Sequence, residues 1–123
     1  VYEIQFRDTA SQPAEKLSGD SCGGVYPRAE IKGGRYGHID QGIAPAVNAA
    51  KPAGEWQTLD VTFRAARFDA AGKKTDNARI VKAVLNGQTI HDDVELKTPT
   101  GTNWVKAETP TGPFMLQADH GPV

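Results

Sequence analysis

The first six residues, VYEIQF, alternate cleanly, with Tyr2, Ile4 and Phe6 on one side and Val1, Glu3 and Gln5 on the other. The same period of two returns downstream, where Leu59, Val61 and Phe63 interleave with Thr58, Asp60 and Thr62, predicting a half-buried sheet strand. Gly54 marks its entry, and its exit runs through Asp69 to Gly72, residues that suit a turn, before alternation resumes at Ile80. An antiparallel pair follows. Asn86-Gly87 sits between two β-rich runs, the strongest short-range signal for a hairpin, with a type I′ turn expected. FMLQ at 114–117 reads as a last short strand, Met115 and Gln117 on one face and Phe114 and Leu116 on the other.

Between these runs the pattern breaks. Thirteen glycines and eight prolines cut the chain into short segments, and helical periodicity is almost absent. Residues 9–24 form a polar excursion. Residues 25–48 read as a long ordered loop with one short strand near 24–26, and residues 97–112 as a second loop with Trp104 as its apolar anchor. Short strands at this spacing without helices between them predict an all-β antiparallel sandwich.

A length of 123 residues suits one domain with one core, assigned to 1–123. Fourteen basic and fifteen acidic side chains leave a formal net charge of −1 with no basic cluster, which argues against nucleic acid as a partner. No apolar run approaches the roughly 20 residues that span a bilayer, so no transmembrane segment is predicted; the chain is expected to be soluble and, if exported, already processed. Cys22 is the single cysteine, which rules out an internal disulfide; it is read as a small apolar side chain beside Gly23-Gly24 rather than as a nucleophile.

The blocks YEIQ (2–5), CGGVY (22–26), APAVNAAKPAGEWQTLDVTFRAARFDAAGKK (44–74), ARIVKAVLNG (78–87) and GPFMLQADHGPV (112–123) occur in order over almost the whole chain. Together they resemble the 3-keto-disaccharide hydrolase family. The resemblance implies a concanavalin-like jelly-roll β-sandwich with a sugar site on a concave face, usually in periplasmic or secreted bacterial proteins. Against the family pattern, several strands ahead of the YEIQ-like strand and a closing strand after the last block are missing. The resemblance therefore implies a partial domain, with a sheet edge to be covered by further strands or by another protein subunit. Arg7 stands where members commonly carry an aliphatic residue before the Asp.

The reaction implied is cleavage of a 3-keto-glycoside. The ketone acidifies the hydrogen on carbon 2, a base removes it, the aglycone leaves carbon 1, and water adds. Such a site needs a base, an enolate stabiliser and an acid. Glu3, Asp8, Asp119 and His120 are the candidate catalytic residues. Glu3 and Gln5 project from the polar face of the first strand, roughly 7 Å apart. His120 is the best acid–base group by its ordinary pKa, beside Asp119 and Gln117. Gln5, Asn48, Lys51, Trp56 and Gln117 are candidates for binding the sugar or 3-keto-glycoside, Lys51 by charge and Trp56 by stacking. His38 and Asp40 are further polar groups in the Gly-rich loop. His91, Asp92 and Asp93 read as a solvated strand face. His38, His91 and His120 are too far apart for a His-based metal motif. No metal site is assigned and no cofactor is firmly implied; a divalent cation such as calcium is the open alternative, although no calcium-loop spacing occurs. The competing reading of function is a non-catalytic carbohydrate-binding or accessory subunit of a larger exported or membrane-attached assembly.

Overall fold

The structure is a computed structural model and describes residues 1–118; Asp119 and His120 lie outside the described residues. Seven short strands follow in chain order: β1 (Ala29–Lys32), β2 (Arg35–His38), β3 (Leu59–Arg64), β4 (Arg67–Phe68), β5 (Lys74–Asp76), β6 (Ala78–Leu85) and β7 (Gln88–Leu96). They pair as β1–β2, β3–β6–β7 and β4–β5, antiparallel throughout. Among the described residues two short 3-10 turns accompany them, Ala14–Lys16 and Thr102–Val105.

The turn chemistry explains these pairings. Asn86 and Gly87 both take positive φ, 50° and 82°, as a type I′ turn requires, and they close β6 onto β7. Asn86 does more than turn the chain: its side-chain oxygen accepts from the Thr58 amide at 2.8 Å and its NH2 donates to the Ala49 carbonyl at 2.8 Å. The tip is thereby tied to the entry of β3. The Asp69–Gly72 turn joins β4 to β5, with the Asp69 carboxylate accepting from the amides of Ala71 and Lys73.

Two bulges decide which residues face the core. Thr62 faces Lys82 and Phe63 faces Ile80, so Val81 is an extra residue in β6, and the inward set changes from Ala78 and Ile80 to Ala83 and Leu85. In β7, Ala83 faces His91 while Val84 faces Thr89, which leaves Ile90 as the extra residue. Ile90 and His91 therefore both turn inward, at 1% and 3% exposure. This corrects the reading of His91 as solvated; only its neighbours Asp92 and Asp93 are exposed.

The second layer is less regular. Residues 2–6 run antiparallel to residues 22–26 through an Ile4–Val25 bridge, and Val25 also bridges Ile43. Val25 and Cys22 join Ile80, Leu85, Ile90 and Leu96 in the core, with Tyr2 and Ile4 packed partly against it. Cys22 is thus a packing residue, and burial pushes its thiol pKa up. The layers meet tightly at Gly23, where a Cβ would stand 2.6 Å from the Ile90 side chain.

Two further expectations are corrected. Residues 25–48 hold a β-hairpin, β1–β2, turning at Gly33-Gly34 with φ of 58° and 74°. Residues 114–117 are not a strand: Phe114, Met115 and Leu116 are 87%, 61% and 71% exposed, because no neighbouring strand among the described residues supplies hydrogen bonds to 111–118. Trp104 does anchor its loop, its ring N–H donating to the Ala29 carbonyl at 3.0 Å and its face carrying Arg28 at 5.4 Å.

Candidate functional site

Glu3 and Gln5 leave the first strand on the side opposite Tyr2 and Ile4, away from the core. The strand pairing sets Glu3 opposite Tyr26, whose amide donates to the Glu3 carbonyl at 3.0 Å, and Gln5 opposite Gly24, whose carbonyl accepts from the Gln5 amide at 2.8 Å. Cross-strand partners on one face have Cβ atoms about 5 Å apart, so the Glu3 carboxyl and the Tyr26 ring are neighbours.

Three glycines let another segment close in. A Cβ on Gly24 would stand 2.6 Å from the carbonyl oxygens of Ser18 and Gly19, and one on Gly42 2.3 Å from that of Val25. On Gly19 it would be 2.2 Å from the same Val25 oxygen. Backbones therefore cross where side chains have no room. The crossing brings Asp20 to the polar face, where it accepts from the Gln5 side-chain NH2 at 3.4 Å and pairs with Arg7. Beyond it, Arg7, Asp8, Thr9, Gln12, Asp20 and Ser21 border an open depression of about 280 Å³, so candidate Asp8 sits past Asp20.

The β1–β2 hairpin supplies the other end. The Tyr36 hydroxyl donates to the Tyr26 hydroxyl at 3.2 Å, and His38 Nε2 stands 3.0 Å from the same oxygen. The His38 ring meets Tyr26 edge-on at 5.2 Å between centroids. Asp40 fixes the hairpin base: it accepts from Arg28 Nε at 2.6 Å and from the amides of Arg28 and Gly42. Burial works to raise the Asp40 carboxyl, but these hydrogen bonds and the Arg28 charge outweigh it and hold it below the usual carboxylate range.

The local fields follow from this crowding. Burial first, then the negative charge of Asp20, raises the Glu3 carboxyl above its ordinary value. Burial first, with the nearby carboxylates Asp20 and Glu3, holds the Tyr26 phenol above its own, so it stays protonated. Polar groups thus line up as His38 and Tyr36, then Tyr26 with Glu3, then Gln5 with Asp20, then Arg7.

The other candidates lie elsewhere. The Asn48 side chain donates to the carbonyls of Thr9, Ala10 and Gln12, which clamps that loop. Lys51 directs its ammonium to the Trp56 carbonyl at 3.2 Å, and Gln57 bridges Lys51 to Asn86, so Lys51 and Trp56 belong to the β6–β7 turn region. The Trp56 indole is 93% exposed. Gln117 is exposed in the segment without regular structure. Among the described residues no three His, Cys, Asp or Glu side chains gather as a metal site, and no helix is long and apolar enough to cross a membrane.

Asp20, Tyr26 and Tyr36 were missed by reading the sequence for strand faces alone. Tyr26 had a signal: it falls within the short strand expected at 24–26. Asp20 had none, since only the glycine crossing brings it in.

Residues 1–123 match the family model described as a 3-keto-alpha-glucoside-1,2-lyase-like domain. No curated protein and no solved structure matches the chain.

Proposed function

The chain belongs to the 3-keto-alpha-glucoside-1,2-lyase-like family, and from that premise we propose that it cleaves 3-keto-glycosides by elimination, with Glu3 as the base. The observation that carries this reading is the Glu3 carboxyl, half-buried beside Asp20 and Tyr26, with its pKa raised. A carboxylate with a raised pKa is a stronger base than an exposed one.

Glu3 takes the proton from carbon 2, next to the ketone, and the electron pair moves into an enolate. The pair then forms the C1–C2 double bond as the bond from carbon 1 to the aglycone oxygen breaks. Water adds to carbon 1, and the Glu3 proton returns to carbon 2, which completes a hydrolysis. Gln5 and Asp20 offer an amide and a carboxylate to sugar hydroxyls along the same face. Periplasmic or extracellular placement belongs to the same proposal and is read by cell fractionation.

The test is direct. The wild-type chain is incubated with a 3-keto disaccharide and release of free sugar is followed, beside Glu3→Gln. Turnover that is lost in the variant supports the reading; turnover that is unchanged in Glu3→Gln removes Glu3 from it.

One observation favours an accessory, non-catalytic role instead. β3 pairs on one side only among the described residues, and Val61 and Phe63 remain 40% and 44% exposed there. An unpaired apolar edge suits addition of a strand from another protein. Light scattering that shows a monomer at high concentration would count against that role.

A further inference from the structure

We propose that Tyr26 is the proton donor to the departing aglycone oxygen, with Tyr36 and His38 as its positioning residues. The inference rests on the 3-keto-glycoside reading and adds the acid that this reading leaves unassigned. Three features of the site support it.

The first is placement. Tyr26 lies opposite Glu3 on the same face of the same strand pair, so a sugar ring whose carbon 2 meets Glu3 presents carbon 1, one bond away, to the phenol. The second is hydrogen-bonding pattern. Because the Tyr36 hydroxyl donates to the Tyr26 oxygen, the Tyr26 O–H is left to donate outward, to His38 Nε2 or to a bound oxygen. The third is support for the charge that appears when the proton leaves. The Tyr36 hydroxyl donates to the phenolate oxygen at 3.2 Å, and His38 Nε2 holds that oxygen in place at 3.0 Å.

The protons balance over the cycle. In the first half Glu3 gains the carbon 2 proton, the C1–O bond breaks, and the aglycone oxygen takes the Tyr26 proton. In the second half water attacks carbon 1 and gives its proton to the Tyr26 phenolate, while Glu3 returns its proton to carbon 2. The sum is one water consumed, and both side chains recover their starting states.

The experiment compares two leaving groups. A 3-keto disaccharide releases a sugar alkoxide that needs a proton, whereas 4-nitrophenyl 3-keto-glucoside releases a nitrophenolate that does not. Tyr26→Phe keeps the ring and its edge contact with His38, and is expected to slow the disaccharide by about 100-fold or more while slowing the nitrophenyl substrate by less than about 10-fold. Equal slowing of both substrates would overturn the acid assignment, since loss of structure or binding does not sort leaving groups. If Tyr26→Phe melts early, Tyr36→Phe carries the same comparison, because it removes phenolate support and leaves Tyr26 in place. Selective slowing of the disaccharide then supports the proposal and equal rates overturn it. A wild-type chain inactive on both substrates overturns the 3-keto-glycoside reading itself, and this inference with it.

Discussion

Glu3 and Tyr26 are joined backbone to backbone across two strands, the Tyr26 amide donating to the Glu3 carbonyl at 3.0 Å, so the carboxyl and the phenol share one face by construction. Their separation does not depend on a loop. What tunes them is the turn at Asp20 on one side and the hairpin residues Tyr36 and His38 on the other.

With Glu3 as the proposed base, the acid limb of activity follows its ionisation. Its raised carboxyl must ionise to act as base, so kcat/KM falls on acidification at a pH above the ordinary glutamate value. Asp20→Asn removes the charge that contributes to the shift and moves that limb to lower pH, while burial keeps it above the ordinary value. A pH–rate profile of both proteins measures the difference.

The same shift has a sign for stability. A raised carboxyl binds its proton more tightly folded than unfolded, so its contribution is full below the ordinary glutamate value and is lost as pH rises through the folded one. At pH 7 Glu3→Gln is therefore expected to melt no lower than wild type while losing activity by about 100-fold or more. Calorimetry and turnover on the same preparation check both halves.

His91 behaves in the opposite sense. Burial lowers its pKa, and its Nε2–H donates to the Gly23 carbonyl at 2.7 Å, which ties β7 to the second layer. The unfolded chain takes up the proton first, so stability is present above the ordinary histidine value and is lost as pH falls below it. His91→Gln is expected to flatten stability between pH 7 and 5. His91→Ala, which leaves a void and an unpaired carbonyl, costs about 3 kcal/mol by urea denaturation.

Gly24→Ala forces a methyl against the Ser18 and Gly19 carbonyls and is expected to cost about 3 kcal/mol. Gly34→Ala meets open space and only the positive φ resists it, so its cost is about 1 kcal/mol. Urea melts of the two variants side by side give the contrast.

Trp56→Ala removes an exposed ring and is expected to change stability by no more than about 0.5 kcal/mol. Acrylamide quenching in the wild type reports the exposed indole, since Trp104 is held by Arg28 and the Ala29 carbonyl. A rise in KM for Trp56→Ala with kcat unchanged would assign the ring to substrate binding.

Much of this was legible in the chain. The Asn86-Gly87 hairpin, the pairing of β3 with the run after Asp69–Gly72, and the outward face of Glu3 and Gln5 all follow from period and turn chemistry. Gly33-Gly34 obeys the same turn rule but is silent in the hydrophobic pattern, because seven of the eight flanking residues, AEIK and RYGH, are exposed and show no alternation. His91 misled because a bulge reverses parity, and a one-residue shift leaves no trace in a hydrophobic pattern. FMLQ carries the alternation of a strand, but alternation states only which faces differ, not whether a neighbour is there to pair. The family blocks pointed to Glu3, whereas Asp20 and Tyr36 reach the site through long-range closure that period cannot report.

The glycines divide the molecule into parts with unequal freedom to vary. At the Gly19, Gly24 and Gly42 crossing no side chain of any size is admitted, whereas around Gly33 and Gly34 nothing stands within 4 Å of where one would be added. Sequence drift, inserted residues and engineered grafts are therefore tolerated at the hairpin tip and not beneath Glu3 and Tyr26. A lengthened tip would stand as a lip beside Tyr36 and His38, so under the proposed reaction, room for bulkier aglycones is expected to evolve there first, over a floor that cannot change.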